Sequence, residues 1–181
     1  MRIAFRISIA VLFFSLTGCS LEYLRTRKQL RAFERSAVVL PDDLLKVNKG
    51  TVEIFDDYES SANTFFIVYD SVRCGDCFVS RLYSLIPLKQ IVEEEGLKFL
   101  CIASFAEDDY EDFIKNYSQS DLMMDMLLDF SGSFRDKNPS FPYNPRLNSF
   151  CTNSLGNPIY VGNPSLDYKS YSKFIKSLKT R

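Results

Sequence analysis

Phe65-Phe66-Ile67-Val68-Tyr69-Asp70-Ser71-Val72-Arg73-Cys74-Gly75-Asp76-Cys77 is the stretch that decides how this chain folds. Phe65 to Tyr69 is continuously apolar, which suits a strand covered on both faces. Cys74-Gly75-Asp76-Cys77 follows at once. From Cys77 to Val92, Phe78, Leu82, Leu85, Ile86 and Ile91 are spaced for one face of a helix. A Cys-x-x-Cys pair between a buried strand and a helix is a redox arrangement. A cysteine at a helix N-terminus meets unpaired backbone N–H groups and the positive end of the helix dipole, which favour thiolate over thiol. The second cysteine, one turn on, can close a disulfide with the first or resolve a mixed disulfide with a substrate.

Working outward, Pro87 should kink the helix or split it. Glu93-Glu94-Glu95-Gly96 ends it, and Leu97 to Ala103 reads as a second buried, parallel strand. Glu107 to Tyr117 reads as a helix with Tyr110, Phe113, Ile114 and Tyr117 on one face. Met123 to Leu128 suits either a helix or a short strand, and Ser131 to Asn144 reads as a long loop. Leu147–Thr152 and Pro158–Val161 flank a turn at Asn153-Ser154-Leu155-Gly156, which predicts a hairpin. Ser165 is placed to cap a last helix, Leu166 to Leu178, with Leu166, Tyr171, Phe174, Ile175 and Leu178 inward. Before the central strand, Pro41-Asp42-Asp43 suggests a turn, Thr51–Phe55 a strand, and Glu59–Asn63 a loop. The resulting order is β-α-β-α-β-β-α.

The N-terminus carries a separate message. Met1 to Arg6 is a short basic segment, and Ile7 to Leu16 an apolar run too short to span a bilayer. Leu16-Thr17-Gly18-Cys19 then matches a bacterial lipobox, which predicts a signal peptide over residues 1–18 and lipidation of Cys19. Residues 19–37 read as a helical tether or linker, and 38–181 as the domain. The tether holds Arg25, Arg27, Lys28, Arg31 and Arg35, within reach of anionic head groups. With charges spread around the helix, a solvated face is the expectation.

Leaving out residues 1–18, with Arg2 and Arg6, leaves 20 Lys and Arg against 23 Asp and Glu, a net charge of -3. That excludes a strongly basic nucleic-acid binder. Histidine is absent from the chain, which excludes Ser-His-Asp and Cys-His catalysis and argues against a zinc or haem site. No metal and no bound cofactor are expected. Export places the cysteines in an oxidising compartment.

Taken together, the strand, Cys-x-x-Cys, βαβ unit and terminal hairpin resemble bacterial thioredoxin-like lipoproteins related to membrane-anchored thiol–disulfide oxidoreductases. The resemblance covers roughly Val38 to Leu178. Ser149-Phe150 and Gly156-Asn157-Pro158-Ile159-Tyr160-Val161-Gly162-Asn163-Pro164 resemble the terminal hairpin of one branch of that group. It implies an α/β thioredoxin-like fold, a mixed central sheet flanked by helices on both faces. Two departures stand out. Val72-Arg73 replaces the aromatic residue the family places before its first cysteine. The family's cis-proline falls near Leu147, two positions after Pro145, so that bond should be trans.

The resemblance implies Cys74 as nucleophile and Cys77 as resolving thiol; Cys77, a turn further along the helix, should be the more enclosed. Asp76, a carboxylate between the cysteines, raises the cost of a thiolate at Cys74 while Arg73 lowers it; with the helix dipole adding to the lowering, a modestly lowered Cys74 pKa is expected. Asp70, at the strand end, is a candidate proton acceptor or a turn cap. Cys101 and Cys151 fall on strands either side of the central one, roughly 9–10 Å apart, too far for a disulfide. Three functions follow. One is a lipid-anchored oxidoreductase of the cell envelope, its domain in the periplasm, acting on exported proteins with thiols or disulfides or on a thiol redox partner. The second is a non-catalytic binding module stapled by a structural Cys74–Cys77 disulfide. A peroxidase is the weakest, for want of an Arg and a Thr or Ser around one cysteine.

Overall fold

Phe65 to Val68 sit at the centre of the sheet because their side chains alternate between two apolar layers. The computed structural model describes residues 23–48, 51–55, 63–105, 109–142, 144 and 146–179. The expected signal segment, Cys19, most of the expected 59–63 loop and Pro145 lie outside them.

In chain order the described elements are α1 (residues 23–33), β1 (Leu45–Asn48), β2 (Thr51–Ile54), β3 (Thr64–Val72), α2 (Gly75–Tyr83), α3 (Ile86–Glu94), β4 (Lys98–Phe105), α4 (Tyr110–Gln119), β5 (Met126–Leu128), α5 (Ser133–Lys137), β6 (Ser149–Thr152), β7 (Pro158–Val161) and α6 (Tyr168–Lys179). Seven strands form one mixed sheet in the order β2-β1-β5-β4-β3-β6-β7. β4 runs parallel to β3 and to β5, the chain crossing over between them through α2–α3 and α4. β6 is antiparallel to β3 and β7 to β6, the expected hairpin.

Phe65 and Ile67 face a layer built by Phe78 and Leu82 of α2, Leu88 and Val92 of α3, Phe113 of α4 and Phe174 of α6. Phe66 and Val68 face the other layer, where Phe134 and Phe141 close over Phe150 and Leu100. Ring contacts tie the second layer together: Phe66–Phe150 at 5.0 Å, Phe141–Phe150 at 5.4 Å and Phe134–Phe141 at 5.7 Å.

Pro87 splits the helix, one of the two outcomes expected of it, while other expectations change. It sits in the first turn of α3, where its missing N–H has no partner to lose. Leu45–Asn48 forms a strand that four residues of sequence did not announce; it is specified by pairing with both β2 and β5. Met126–Leu128 resolves as a strand because β4 and β1 flank it. The stretch expected as a loop, Ser131 to Asn144, contains α5 and two fully buried aromatics, so it is a lid over the second layer. Asp129, 1% exposed, holds the start of α5 by accepting from the Ser133 and Phe134 N–H groups at 2.9 and 3.0 Å.

The last helix starts at Tyr168, later than expected. Asp167 caps it, accepting from Ser170 N–H at 2.7 Å, while the Ser165 hydroxyl is spent on Asn163 at 2.7 Å. Leu166 consequently lies outside the helix and is 62% exposed. At the other end of the chain, α1 is no free tether. Phe33 is fully buried, edge-on to Phe141 at 5.2 Å and Phe150 at 5.1 Å. The packed unit therefore begins ahead of the expected start at Val38.

Candidate active site: the Cys74–Cys77 disulfide

β3 delivers the chain to the first cysteine through a local irregularity. Its register with β4 shifts between Tyr69 and Val72, and Ser71 takes φ 59°, the left-handed region. That conformation costs a non-glycine residue about 1–2 kcal/mol. Cys74 then leaves the strand in extended conformation (φ -149°, ψ 108°) and serves as the N-cap of α2. Its carbonyl accepts the first helical hydrogen bond, from Phe78 N–H at 3.0 Å. Its Sγ accepts from Cys77 N–H at 3.2 Å. The sulfur thus occupies the place a Ser or Asp oxygen takes in an ordinary cap, facing the orphan N–H groups of the first turn.

The two cysteines are joined in a disulfide, their Cα atoms 5.4 Å apart. Both residues are exposed. Cys77, one helical turn from an N-cap that faces solvent, is still at the surface. The N–H contact to Cys74 Sγ distinguishes the two sulfurs and favours Cys74 as the thiolate.

Below the disulfide, Phe78 anchors α2 in an aromatic cluster, with Tyr69 at 5.0 Å, Phe105 at 5.5 Å and Phe113 at 5.8 Å. Gly75 explains how α4 comes so close. A Cβ on it would stand 2.7 Å from Phe113 N, 3.0 Å from Phe113 Cα and 3.1 Å from the Asp109 carbonyl oxygen. The glycine between the cysteines is therefore a docking point for α4, required by space. Across the same contact, Asn116 Nδ2 of α4 donates to the Asp76 carboxylate. Sequence spacing could not announce either link, because α4 lies some forty residues downstream of the motif.

Of the other residues singled out by sequence, Arg73 is exposed just ahead of Cys74. Asp70 is exposed at the bend and carries an ion pair with Arg135 Nη1 of α5 at 2.9 Å, while Ser71 Oγ donates to it at 3.4 Å. Asp70 thus links β3 to α5. A cavity of roughly 730 Å³ opens between the end of β3, the C-terminal half of α2 and loop residues, with Tyr69, Asp70, Arg81, Asn144, Asn148 and Asn163 on its walls. The Arg81 guanidinium lies over the Tyr69 ring at 5.7 Å, and burial pushes the Tyr69 hydroxyl pKa up. Asn148 joins the sheet at this wall: its carbonyl accepts from Val68 N–H at 2.8 Å and its Nδ2 donates to the Val68 carbonyl at 3.2 Å. Among the described residues no peptide bond is cis, so the Leu147 bond is trans, as expected.

Cys101 and Cys151 are both buried, on β4 and β6, with β3 between them. Burial pushes the Cys101 thiol up, away from thiolate. Neither belongs to the exposed site.

No protein-family model matches the chain, and no curated protein matches it by sequence. Solved structures do. The solution structure of an uncharacterised thioredoxin-like protein from Porphyromonas gingivalis is similar at a TM-score of 0.50 and 14% identity, over 80% of this chain and 93% of that one. An exposed lipoprotein thioredoxin from Streptococcus pneumoniae has a TM-score of 0.46 at 14% identity, covering 73% and 96% of the two chains. The thioredoxin domain of a thiol–disulfide oxidoreductase from Bacteroides vulgatus has 0.40 at 13%, covering 79% and 97%. The likeness at 0.50, with the strand order and the helices on both faces, gives this chain a thioredoxin-like α/β fold.

Proposed function

We propose that this chain is an exported thiol–disulfide oxidoreductase, held to a membrane by lipid on Cys19, with its domain in the periplasm. The observation that carries the redox reading is the position of Cys74 Sγ: exposed, at the N-cap of α2, and accepting the Cys77 N–H at 3.2 Å. Once the pair is reduced, the same N–H and the helix dipole stabilise negative charge on that sulfur. The anchoring half of the reading rests on the basic segment, short apolar run and lipobox of residues 1–19.

In the reducing direction, the Cys74 thiolate attacks one sulfur of a substrate disulfide. A Cys74–substrate disulfide forms and the other substrate sulfur leaves as a thiolate. The Cys77 thiolate then attacks Cys74 Sγ, closing the Cys74–Cys77 disulfide and releasing the second substrate thiol. Two electrons pass from the chain to the substrate, and a partner dithiol returns them. Run backwards, the same steps oxidise a substrate dithiol. Arg73, exposed beside Cys74, favours the thiolate electrostatically, and Asn116 moderates the opposing effect of Asp76 by donating to its carboxylate.

The test is mixed-disulfide capture. Cys77→Ser should trap exported proteins through Cys74, since nothing remains to resolve the adduct. Cys74→Ser should trap few or none. If Cys77→Ser captures no partner and the folded pair resists a dithiol reductant, the disulfide is a structural staple and the chain is a binding module on this scaffold.

A further inference from the structure

We infer that the outward face of α1 lies on an anionic lipid bilayer and holds the domain against it. The inference draws on the anchored reading above only for the presence of a membrane beside the helix; the face itself is a feature of the fold. Sequence alone leaves the five cations of this segment distributed around a helix of unknown orientation. Docking of Phe33 fixes that orientation. Thr26, Gln29, Leu30 and Phe33 recur at helical spacing, and they are the half-buried and buried residues of α1. The opposite stripe, again at helical spacing, is Leu24, Arg27, Lys28 and Arg31, continued by Arg35 in the turn that follows. All five are exposed, and Leu24 is 57% exposed. One acidic side chain, the exposed Glu34 in the same turn as Arg35, borders the stripe, so the face carries four cations against one carboxylate, and none of its cations forms an ion pair among the described residues.

Charge distribution identifies the occupant. From Val38 to the C-terminus the chain has 15 Lys and Arg against 21 Asp and Glu, a net charge of -6. An anionic surface therefore repels the body of the domain as a whole and attracts the places where cations gather, α1 and the lysines of α6 (Lys169, Lys173, Lys176 and Lys179), of which α1 is the one next to Cys19 in the chain. Cys19 lies eight residues before Arg27, so a lipid there would keep this helix next to the head groups. An apolar Leu24 among cations also suits the boundary between head groups and acyl chains. Each Lys or Arg near such a surface strengthens attachment about fivefold, so the four cations together act by roughly several hundredfold. After the helix the chain is tied down by the Val38 N–H bond to the Gly156 carbonyl, at the end of the sheet where β3 begins. Cys74 follows the other end of β3, so docking at α1 leaves the disulfide uncovered.

The absence of tryptophan supplies the probe. Leu24→Trp puts a single indole on the proposed contact face. The full chain, exported and purified with its own signal, is reconstituted into vesicles of phosphatidylcholine alone or mixed with phosphatidylglycerol. Flotation with the neutral vesicles reads the lipid anchor by itself. Quenching of the indole by brominated lipid reads the helix. The expected result is quenching several-fold stronger in anionic than in neutral vesicles, abolished by high salt and by Arg27→Glu/Lys28→Glu/Arg31→Glu. That triple variant touches exposed positions only, and unchanged near-ultraviolet dichroism establishes its fold. Loss of flotation with retained anionic quenching would sink the anchor and leave the helix contact standing. Equal quenching in both vesicle types, or quenching that survives the triple variant, overturns the inference.

Discussion

Gly75→Ala is the sharpest test of how the redox motif is tied to the rest of the molecule. In an exposed helix, Gly to Ala stabilises by about 1 kcal/mol through propensity. Gly75 is buried in the first turn of α2, and the added Cβ would meet backbone atoms of α4 at 2.7, 3.0 and 3.1 Å. Backbone cannot swing aside as a side-chain end would, so α4 must shift by several tenths of an ångström. Overpacking of this kind costs about 1–3 kcal/mol, and three backbone contacts on one methyl place it at the upper end. Subtracting the propensity gain leaves a net loss of about 2 kcal/mol. For a chain of this size that corresponds to a fall in Tm of about 4–8 °C. Denaturant unfolding of the oxidised protein, followed by circular dichroism, measures it directly. The sign is decisive: Gly75→Ala as stable as the parent, or more so, refutes the contact between α2 and α4.

Phe33→Ala should cost about 3–5 kcal/mol, as for any fully buried phenylalanine; an unfolding curve indistinguishable from the parent would restore α1 to a free tether. Asn116→Ala removes the donor that engages Asp76, so the carboxylate disfavours the Cys74 thiolate more strongly and the reduction potential should become more negative, by up to a few tens of mV. Equilibration with glutathione buffers reads this shift, and a move in the positive direction contradicts the assigned role. Ser131 and then Ser133 hydrogen bonds hold the Asp43 carboxyl below its usual range. A depressed native pKa adds stability above the unfolded value, near 4, and that stability is lost as pH falls through the native one. Asp43→Asn should therefore be less stable than the parent at neutral pH, with the gap closing in acid; a constant gap denies the linkage. Cys101 and Cys151 should resist alkylation in the native oxidised protein and react only on unfolding, as peptide mass mapping can show.

The chemistry of the disulfide was legible because its determinants are local. Cys74 and Cys77 are three apart, and an apolar strand precedes them while helical spacing follows. Those features place one sulfur at a helix N-terminus whatever the rest of the chain does. The same locality made the β4 strand and the terminal hairpin readable, since each rests on a short run of residues with its own turn signals. The position of Cys101 and Cys151 on opposite sides of β3 followed from element order alone.

What sequence could not supply were relations between segments far apart along the chain. Gly75 and Asn116 matter because α4 returns to the first turn of α2. Leu45–Asn48 is a strand because β2 and β5 offer it unpaired N–H and C=O groups on both sides. Phe33, Phe134 and Phe141 look like scattered aromatics until Phe150 gathers them into one layer. Even the side of α1 that faces solvent was settled only when Phe33 was buried. A residue's own chemistry and that of its near neighbours are written in the order of the chain. Which distant backbone fills a space, and which face of a helix is left over, depends on excluded volume and burial, which exist only once the chain has closed on itself.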